Sequence, residues 1–449
     1  MRTSEEILTA AGAAAIDAAR KKGAEAEAFL LHNRELSIEV RDAEVQTIKD
    51  AEEIGLGVRV LHGGRMGFAF SSDLSAAAVA ATVDSAVAIA KHMQVDAFYC
   101  LAEPAASYPS IDCFDPRIET AALEEKIELA RNAEKSARAY DNRIYLVDKA
   151  GYENSSTLTV IMNSRGLQVS CRDNLAGVYI SLAAQEEGDS QTGFATMTRR
   201  KIADMDSRQL GQEAAFRAVR GLQAKSMDSG KMPCIMEPYV AIRFMGLLLP
   251  SLCGDAVLKG KSMWAGKMGE QVASPLLELV DDGIREGGLA SVPFDGEGVP
   301  ARRNELIRQG VLQGYLYDIY SGRKAGCAST GSGRRGTFRS LPAIGSSNLM
   351  ISPGRYEPEQ MLAGIDRGLL ITDVMGLHTA NTISGDFSLG ASGVLIEGGR
   401  LTRPVRGITI AGTLHGLLQE IEALGSDLTF YGAKVAPSIR FRQLSIAGE

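Results

Sequence analysis

The pattern of apolar and polar residues divides the first half of the chain into two blocks of similar design. Residues 4–22 form an Ala-rich segment with helical periodicity, which begins at a capping box made by Thr3 and Glu6 and stops at Gly23. Residues 26–70 change to short alternating or apolar runs with turn residues at 62–65, and this predicts an antiparallel meander. A second helix is predicted over about residues 73–92, because nearly all of them are good helix formers.

The second block shows the same order of predicted elements, a helix, a meander and a second helix, after a connecting segment. Residues 100–118 hold three prolines and no long periodic segment. A helix is predicted over about 118–140, followed by several short strands, a hairpin turn at 163–166 and a further helix over about 207–224. The two blocks share an architecture without detectable sequence identity, so the pattern indicates reuse of a helix-plus-meander design and not a proven repeat.

The second half of the chain differs in composition and in the length of its apolar runs. Beyond about residues 225–232 glycine becomes dense and the apolar runs shorten, with one apolar helix predicted near 239–252 and another near 414–424. The absence of regular strand–helix alternation argues against a doubly wound parallel sheet. We therefore predict an α+β protein: an N-terminal domain, residues 1–228, of helices packed on antiparallel β-meanders, and a Gly-rich, mostly antiparallel C-terminal β domain with a few helices, residues 229–449.

Composition narrows the classes of function. The 449 residues carry 48 Lys and Arg against 55 Asp and Glu, a net charge of −7, which disfavours direct binding to nucleic acid or to an anionic membrane. No window reaches the ~18 uninterrupted apolar residues of a membrane span, and the N-terminus lacks the pattern of a signal peptide. The six cysteines show no C-x-x-C spacing, so we expect a cytoplasmic protein with reduced thiols.

Metal ligands and nucleophiles are scarce. Of the five histidines none lies between His92 and His378, no H-E-x-x-H occurs, and no cysteines are paired at ligand spacing. We therefore expect neither a metal site nor a catalytic residue in this chain. A metal-free hydrolase that uses Cys327 as nucleophile and His378 as base is the least favoured alternative, because nothing in the sequence brings the two together.

The stretch GCASTGSGRRGTFR at residues 326–339 contains the G-x-G-x-x-G spacing of dinucleotide-binding proteins. It lacks the flanking strand and helix and the acidic residue about 20 positions on, so the fingerprint fails. No acidic residue occurs from 319 to 356. Guanidinium groups pair with carboxylates, so Arg334 and Arg335 are candidates for contact with a peptide or a partner subunit, and a solvated surface loop is an equally good interpretation.

Longer strings carry a family resemblance. PFDGEGVPARRNELIRQGVLQGYLYDIYSGRKAGCASTG at 293–331, GLLITDVMG at 368–376 and SGDFSLGASGVLIEGGRLTRPVRGITIAGTL at 384–414 resemble the TldD/PmbA family. The chain length and the N-terminal helix-meander block also match, so the resemblance covers nearly the whole sequence. Within GDFSLGASG, the positions that the resemblance suggests for structure near a cleft are Gly385, Asp386 and Ser388.

The resemblance implies a function. The family, also called modulators of DNA gyrase, consists of cytosolic metallopeptidases that act as pairs of related subunits and trim peptides. One subunit type carries a zinc-binding H-E-x-x-x-H on a helix early in the C-terminal domain. The corresponding segment here, IMEPYVAIRFMGLLLPSL at 235–252, contains no histidine, so the chain resembles the PmbA, or TldE, type.

From this we expect a non-catalytic subunit that has no cofactor of its own and binds a TldD-like partner, which would hold the zinc, together with a peptide substrate. Whether the chain is an enzyme by itself stays open, and we expect it to be inactive alone. A dimer is expected, with homodimer and heterodimer both open. The alternative is a self-associating peptide-binding module without a peptidase partner.

Overall fold

The N-terminal half alternates helices with long antiparallel strands. A computed structural model describes residues 3–448. Its helices in this half are α1 (Ser4–Lys21), α2 (Ala76–His92), α3 (Pro116–Thr120), α4 (Leu123–Tyr140) and α5 (Ser207–Val219), with a 3₁₀ turn at Ile202–Asp204. Its strands are β1 (Glu25–Arg41), β2 (Glu44–His62), β3 (Arg65–Ser71), β4 (Ile144–Asn163), β5 (Gln168–Glu186) and β6 (Asp189–Arg199).

These six strands form one antiparallel sheet in the order β3-β2-β1-β4-β5-β6. The two sequence blocks are therefore joined through the β1–β4 pair. The short strands predicted within each block are joined in the structure into longer continuous strands. The polar residues inside β1 stay in the strand because its backbone is hydrogen-bonded on both sides, to β2 and to β4.

Each block covers its half of the sheet with helices in the same way. Helix α1 starts at the predicted Thr3–Glu6 capping box and packs with α2 over one half of the sheet, while α4 and α5 cover the other half. A Cβ on Gly67 of β3 would lie 2.0 Å from the carbonyl oxygen of Ala86 in α2, and one on Gly193 of β6 would lie 2.0 Å from that of Ala214 in α5. The edge strand of each block thus carries a glycine that lets a helix approach closely.

The C-terminal half combines more, shorter elements. Its helices are α6 (Pro238–Leu252), α7 (Gly254–Leu258), α8 (Ile319–Ala325), α9 (Pro358–Leu362) and α10 (Leu414–Gln419), with a 3₁₀ turn at Leu377–Thr379. Its strands are β7 (Gly230–Met236), β8 (Leu279–Asp282), β9 (Arg303–Arg308), β10 (Val311–Leu312), β11 (Gly333–Arg334), β12 (Ala343–Ile344), β13 (Leu349–Ile351), β14 (Arg367–Met375), β15 (Asp386–Glu397), β16 (Arg400–Thr413), β17 (Ile421–Leu424), β18 (Thr429–Tyr431), β19 (Lys434–Ala436) and β20 (Ile439–Ala447).

Two six-stranded sheets organise this half, in the orders β16-β15-β14-β7-β20-β17 and β10-β9-β8-β13-β19-β18. Most pairs are antiparallel, with parallel pairs at β7–β14 and β13–β19. The apolar helix α6 and the buried Trp264 belong to one large core. The predicted α+β class is confirmed. The helix predicted over 414–424 is wrong at its C-terminal end, because the last residues pair with β20 as strand β17.

The second part of the basic Gly-rich segment at 326–339 is anchored in the interior, which corrects its interpretation as a solvated surface loop. Phe338 is fully buried in a cluster with Phe29 and Leu31 of the N-terminal sheet. A Cβ on Gly55 would lie 2.2 Å from the Phe338 ring. The segment therefore joins the two halves of the chain. None of the helices within residues 3–448 has the length and apolarity needed to cross a bilayer.

Candidate functional site

The first turn of α6, the helix to which the family resemblance directs attention, is held by an ion pair. Pro238 occupies the first helical position, where its missing N–H is not needed. Glu237 is the N-cap, and its carboxylate makes no capping hydrogen bond. Instead it accepts two hydrogen bonds from Arg220, at 2.6 Å and 2.8 Å. This bidentate pair ties the residue that follows α5 to the start of α6.

A second ion pair and an aromatic ring complete the start of α6. Arg243 donates to the Asp373 carboxylate of β14 at 2.6 Å. The ring centroid of Tyr239 lies 5.0 Å from the guanidinium of Arg217 and 5.5 Å from that of Arg243, within cation–π range. Tyr431 packs edge-on against the same ring, with 5.1 Å between centroids. The side chains at this end of the helix are thus fixed by mutual contacts.

Two adjoining cavities open at this point, and we call them together the junction groove. They share Arg217, Arg220 and Tyr239. The first cavity, of about 490 Å³, lies between α5 and the C-terminal half and has a mainly apolar wall that includes Phe216, Met361, Leu362, Leu370 and Leu401. The second, of about 470 Å³, is more polar and is lined by residues of β6, β14, β15 and β16, including Gln191, Thr192, Thr372, Ser392 and Arg406.

The groove also reaches a sheet edge. Within residues 3–448, strand β6 is the last strand of the N-terminal sheet and pairs only with β5, while Arg217 donates a hydrogen bond to its Phe194 carbonyl at 2.9 Å. Gln191, Thr192 and Phe194 of this strand line the second cavity. An edge strand beside an elongated groove offers backbone donors and acceptors to an extended peptide.

The residues at the start of α6 do not fit a zinc ion. Zinc sites in proteins use three or four converging nitrogen, sulfur or carboxylate ligands. The nearby carboxylates, those of Glu237 and Asp373, are each already paired with an arginine, whose positive charge would oppose a dication. Within residues 3–448, no group of three or more His, Cys, Asp or Glu side chains is arranged to hold a metal ion.

The arginines that the sequence singled out lie at a different place, between the two halves of the chain. The side chain of Arg335 is fully buried and forms an ion pair with Glu27 of β1. Glu27 also binds Arg59 of β2 at 2.7 Å, and Arg59 reaches Glu297 at 3.1 Å. Arg334 is partly buried in β11. This corrects the expectation that Arg335 is a surface contact residue, because its guanidinium is used within the chain.

The buried charges of this cluster perturb one another. Burial raises the pKa of Glu297 to about 7, and burial also raises the pKa of its neighbour Asp295. Burial would raise the pKa of Glu27 as well, but the guanidinium groups of Arg335 and Arg59 outweigh it and the net direction is downward. The sequence analysis missed the acidic members of this cluster. The string PFDGEG, with two acids in a Gly-rich turn, was the available signal.

Two glycines of the segment at 326–339, Gly331 and Gly333, have a structural explanation. The backbone N–H of Gly333 donates to Asp295 at 2.8 Å. A Cβ on Gly333 would lie only 2.9 Å from a carboxylate oxygen of Glu297 and 3.2 Å from one of Asp295. Gly331 adopts φ +70°, a conformation that favours glycine. Gly333 thus allows a close approach to the chain's own carboxylates, whereas Gly331 approaches the backbone carbonyl of Pro300.

The other predicted positions lie at the start of β15. Gly385 adopts φ +84°, and its carbonyl accepts a hydrogen bond from Leu414 at the start of α10. Asp386 is exposed and accepts from the Ser384 hydroxyl at 2.6 Å, and Ser388 is exposed two residues further along the strand. The residues of β15 that line the junction groove are 392–394, toward its other end. No contact between described residues joins this group to Arg334 or Arg335.

Cys327 and His378 show no sign of a nucleophile–base pair. Cys327 follows α8 and is exposed, and burial of part of its surroundings raises the pKa of its thiol. An activated cysteine has a lowered pKa. Among the described residues, no hydrogen bond links it to His378, which lies in the 3₁₀ turn after β14.

Family models cover most of the chain. The C-terminal domain of PmbA/TldA metallopeptidases matches residues 229–448, the central domain of that family matches 116–222, and its domain 1 matches 26–90. The prediction of two domains divided at 228/229 is not tested by these matches and stays a prediction.

Individual relatives agree with the models. The chain is 30% identical over 456 residues to the metalloprotease PmbA of Escherichia coli O157:H7, covering 100% of this chain and 98% of that protein. It is 31% identical over 386 residues to a metalloprotease TldD homologue of Haemophilus influenzae, covering 82% of this chain and 78% of the relative.

Solved structures share the whole fold. A Thermotoga maritima protein named as a modulator of a DNA gyrase superimposes with a TM-score of 0.89 at 30% identity, over 99% of this chain and 100% of that one. TldE from Thermococcus kodakarensis superimposes with a TM-score of 0.88 at 25% identity, over 99% of each chain.

Proposed function

Because this chain belongs to the PmbA/TldD metallopeptidase family, we propose that it is the non-catalytic subunit of a peptide-trimming metallopeptidase complex. In this proposal a TldD-like partner supplies the zinc and the bond-breaking chemistry, and the present chain binds and orients an extended peptide. The relatives of this chain include both TldD and TldE types, which supports a partnership between two related subunits. We place the complex in the cytoplasm.

One observation carries the proposal. At the start of α6 the carboxylates of Glu237 and Asp373 are each neutralised by an arginine, Arg220 and Arg243 respectively, whose positive charge would oppose a metal ion. The helix segment at 235–252 contains no histidine, and the ring of Tyr239 in its first turn lies against the guanidinium groups of Arg217 and Arg243. This end of the helix is built to position a ligand through hydrogen bonds and aromatic contact.

The junction groove supplies the peptide-binding surface in this proposal. The edge of β6 would add the peptide backbone as a further strand, and the apolar cavity beside Phe216 and Leu401 would accept a hydrophobic side chain of the peptide. Gly385, Asp386 and Ser388 do not line the junction groove and remain proposed as positions near a peptide cleft or a partner contact. Of these, Asp386 and Ser388 have exposed side chains that a partner subunit could contact.

The test is reconstitution. The purified chain, a TldD-type homologue that carries H-E-x-x-x-H, and their mixture are compared for native mass, zinc content and cleavage of a labelled unfolded polypeptide. We expect a complex, zinc in the homologue only, and faster cleavage by the mixture than by either chain. Zinc-dependent cleavage by this chain alone, or no complex and no enhancement, would contradict the proposal.

A groove variant tests where the peptide binds. Leu401 lines the apolar cavity and is 46% exposed, whereas Ile89 lies on α2 away from the groove with a similar exposure of 44%. Leu401→Glu places a charge against an apolar peptide side chain and is expected to lower cleavage by the mixture about tenfold, or ~1.4 kcal/mol. Ile89→Glu is the matched control and should leave cleavage unchanged.

The second candidate function is a self-associating peptide-binding module that has no peptidase partner. The same groove would serve it, so the native mass decides between the two. If the chain stays a homo-oligomer in the presence of the TldD-type homologue and still binds unfolded peptide, this second function is favoured.

A further inference from the structure

Two cysteine thiols touch each other in the N-terminal half. Cys113 lies in the connector before α3, Cys171 lies on β5, and their sulfur atoms are 3.6 Å apart. Both thiols also point to the same backbone carbonyl, that of Arg172, at 3.3 Å and 3.6 Å. Among the described residues, the remaining cysteines make no such sulfur–sulfur contact.

The contact is held in place by a buried side chain. The backbone N–H of Asn174 on β5 donates to the Cys113 carbonyl at 3.0 Å, and its side-chain amide exchanges two hydrogen bonds of 2.8 Å with the backbone of Asp115. Asn174 is only 1% exposed. The connector therefore runs beside β5 like an added strand, and the two cysteine side chains meet because their backbones are fixed next to each other.

The positively charged side chain of Arg200 lies close to the same pair of cysteines. The buried guanidinium of Arg200 donates to the Cys113 carbonyl at 3.0 Å and to the Asp173 carboxylate at 3.3 Å. The hydrogen bond from Cys171 is the main reason why the pKa of Cys113 is lowered. Burial and the carboxylates of Asp173 and Asp112 oppose it, and Arg200 adds to it. Cys113 is therefore the member of the pair that more readily becomes a thiolate, and the partly exposed Cys171 opens the pair to small solutes.

We propose that Cys113 and Cys171 are a modification site at which a hydroperoxide forms an intramolecular disulfide. In the first step the Cys113 thiolate attacks one oxygen of hydrogen peroxide: the O–O bond breaks, an S–O bond forms and hydroxide leaves, so the sulfur is oxidised to sulfenic acid and the peroxide is reduced. In the second step the Cys171 sulfur attacks the sulfenic sulfur. The S–S bond forms, the S–O bond breaks, and the oxygen leaves as water with the proton of the Cys171 thiol.

The positions of the two sulfur atoms suit the formation of the disulfide. A disulfide needs the sulfurs at about 2.05 Å, so one or both side chains must turn by a small amount from their present contact. The bond would fasten the connector to β5 beside Arg200, which also binds the backbone carbonyls of Gly288, Leu289 and Ser291 in the C-terminal half. Oxidation would thus act at the junction between the two halves of the chain.

The test is peptide mapping of the full-length protein. The reduced chain is treated with a small molar excess of hydrogen peroxide, blocked with an alkylating reagent and digested with trypsin without reductant. We expect residues 92–117 to be linked to residues 166–172 with the loss of two hydrogen atoms, and the link to disappear after dithiothreitol. If both thiols remain alkylatable while the exposed Cys327 is oxidised, the proposal is overturned.

Variants identify the partners and the order of attack. Because residues 92–117 also contain Cys100, the Cys100→Ser variant must keep the link, and Cys327→Ser is the control for an exposed lone thiol. Cys171→Ser should leave a sulfenic acid at Cys113 that dimedone traps. A link that survives in Cys113→Ser would overturn the proposed pair. Fragment-ion sequencing of the linked peptides from the unaltered chain distinguishes Cys113 from Cys100 even where a variant fails to fold.

Discussion

Replacing Arg335 by Ala tests whether the buried charges between the two halves of the chain stabilise the fold. Glu27 is fully buried between Arg335 and Arg59, whose guanidinium lies 2.7 Å from its carboxylate. The substitution removes one of these two positive charges and leaves the carboxylate inside the protein. The free energy of unfolding should fall, because a buried charge that loses a partner keeps its desolvation penalty.

The expected loss is about 3 kcal/mol. Breaking a buried ion pair typically costs ~3–5 kcal/mol. The lower end applies here for two reasons. Arg59 remains to neutralise Glu27, and Arg335 itself carries two buried nitrogen atoms, Nε and Nη1, that have no hydrogen-bond partner in the structure and are removed with it. The matched control is Arg339→Ala, which breaks a half-exposed pair with Glu53 and should cost at most about 1 kcal/mol.

Urea unfolding measures the difference with two probes. The single tryptophan, Trp264, is buried in the C-terminal core, so its fluorescence follows that half, while far-ultraviolet circular dichroism follows the whole chain. The Arg335→Ala variant should unfold at lower urea by circular dichroism, and the two probes should separate if the halves come apart first. If Arg335→Ala is no less stable than Arg339→Ala, the reasoning about the buried cluster is refuted.

Three further outcomes follow from the same junction. The pKa of Glu297 is raised from 4.5 to about 7, so its contribution to stability is fully present below pH 4.5 and is lost as the pH rises through 7. Between pH 4.5 and pH 7 the free energy of unfolding of the Glu297→Gln variant should therefore fall by about 3 kcal/mol less than that of the unaltered chain. The same pH dependence of unfolding in both proteins would contradict this. Gly333→Ala should destabilise by ~1–3 kcal/mol, because its Cβ meets two carboxylates, whereas Gly336→Ala, with open space around it, should stay within ~0.5 kcal/mol; equal melting temperatures for the two would count against this account. Phe338→Ala should cost ~3–5 kcal/mol in urea unfolding, since its ring is fully buried, and a loss below 1 kcal/mol would show that the segment is not anchored there.

Much of the N-terminal half follows from local sequence. The capping box at Thr3 and Glu6 fixes the start of α1, and the hairpin turn at 163–166 lies between β4 and β5 as predicted. These signals are local, involving residues a few positions apart. The predicted strand lengths were too short. Polar residues inside β1 stay in the strand because β2 and β4 bond its backbone, and these partners are set by pairing far along the chain.

The candidate site was accessible to sequence reasoning only in part. The resemblance pointed to the helix at 235–252, and the absence of histidine there is visible in the letters. The ion pairs by which Arg220 and Arg243 neutralise the carboxylates at its start are long-range contacts. Arg220 comes from the end of α5 and Asp373 from β14, and no spacing rule relates these positions to α6.

The sequence by itself determined the class of fold, the start of α1 and the scarcity of metal ligands, because these depend on residue type and on short-range periodicity. Only the tertiary structure decided what the segment GCASTGSGRRGTFR does. Gly333 approaches the carboxylates of Asp295 and Glu297, and Arg335 meets Glu27, 308 positions away along the chain. A buried charge takes its partner from whichever strand the fold places beside it, and that neighbour is set by sheet pairing and packing over the whole chain.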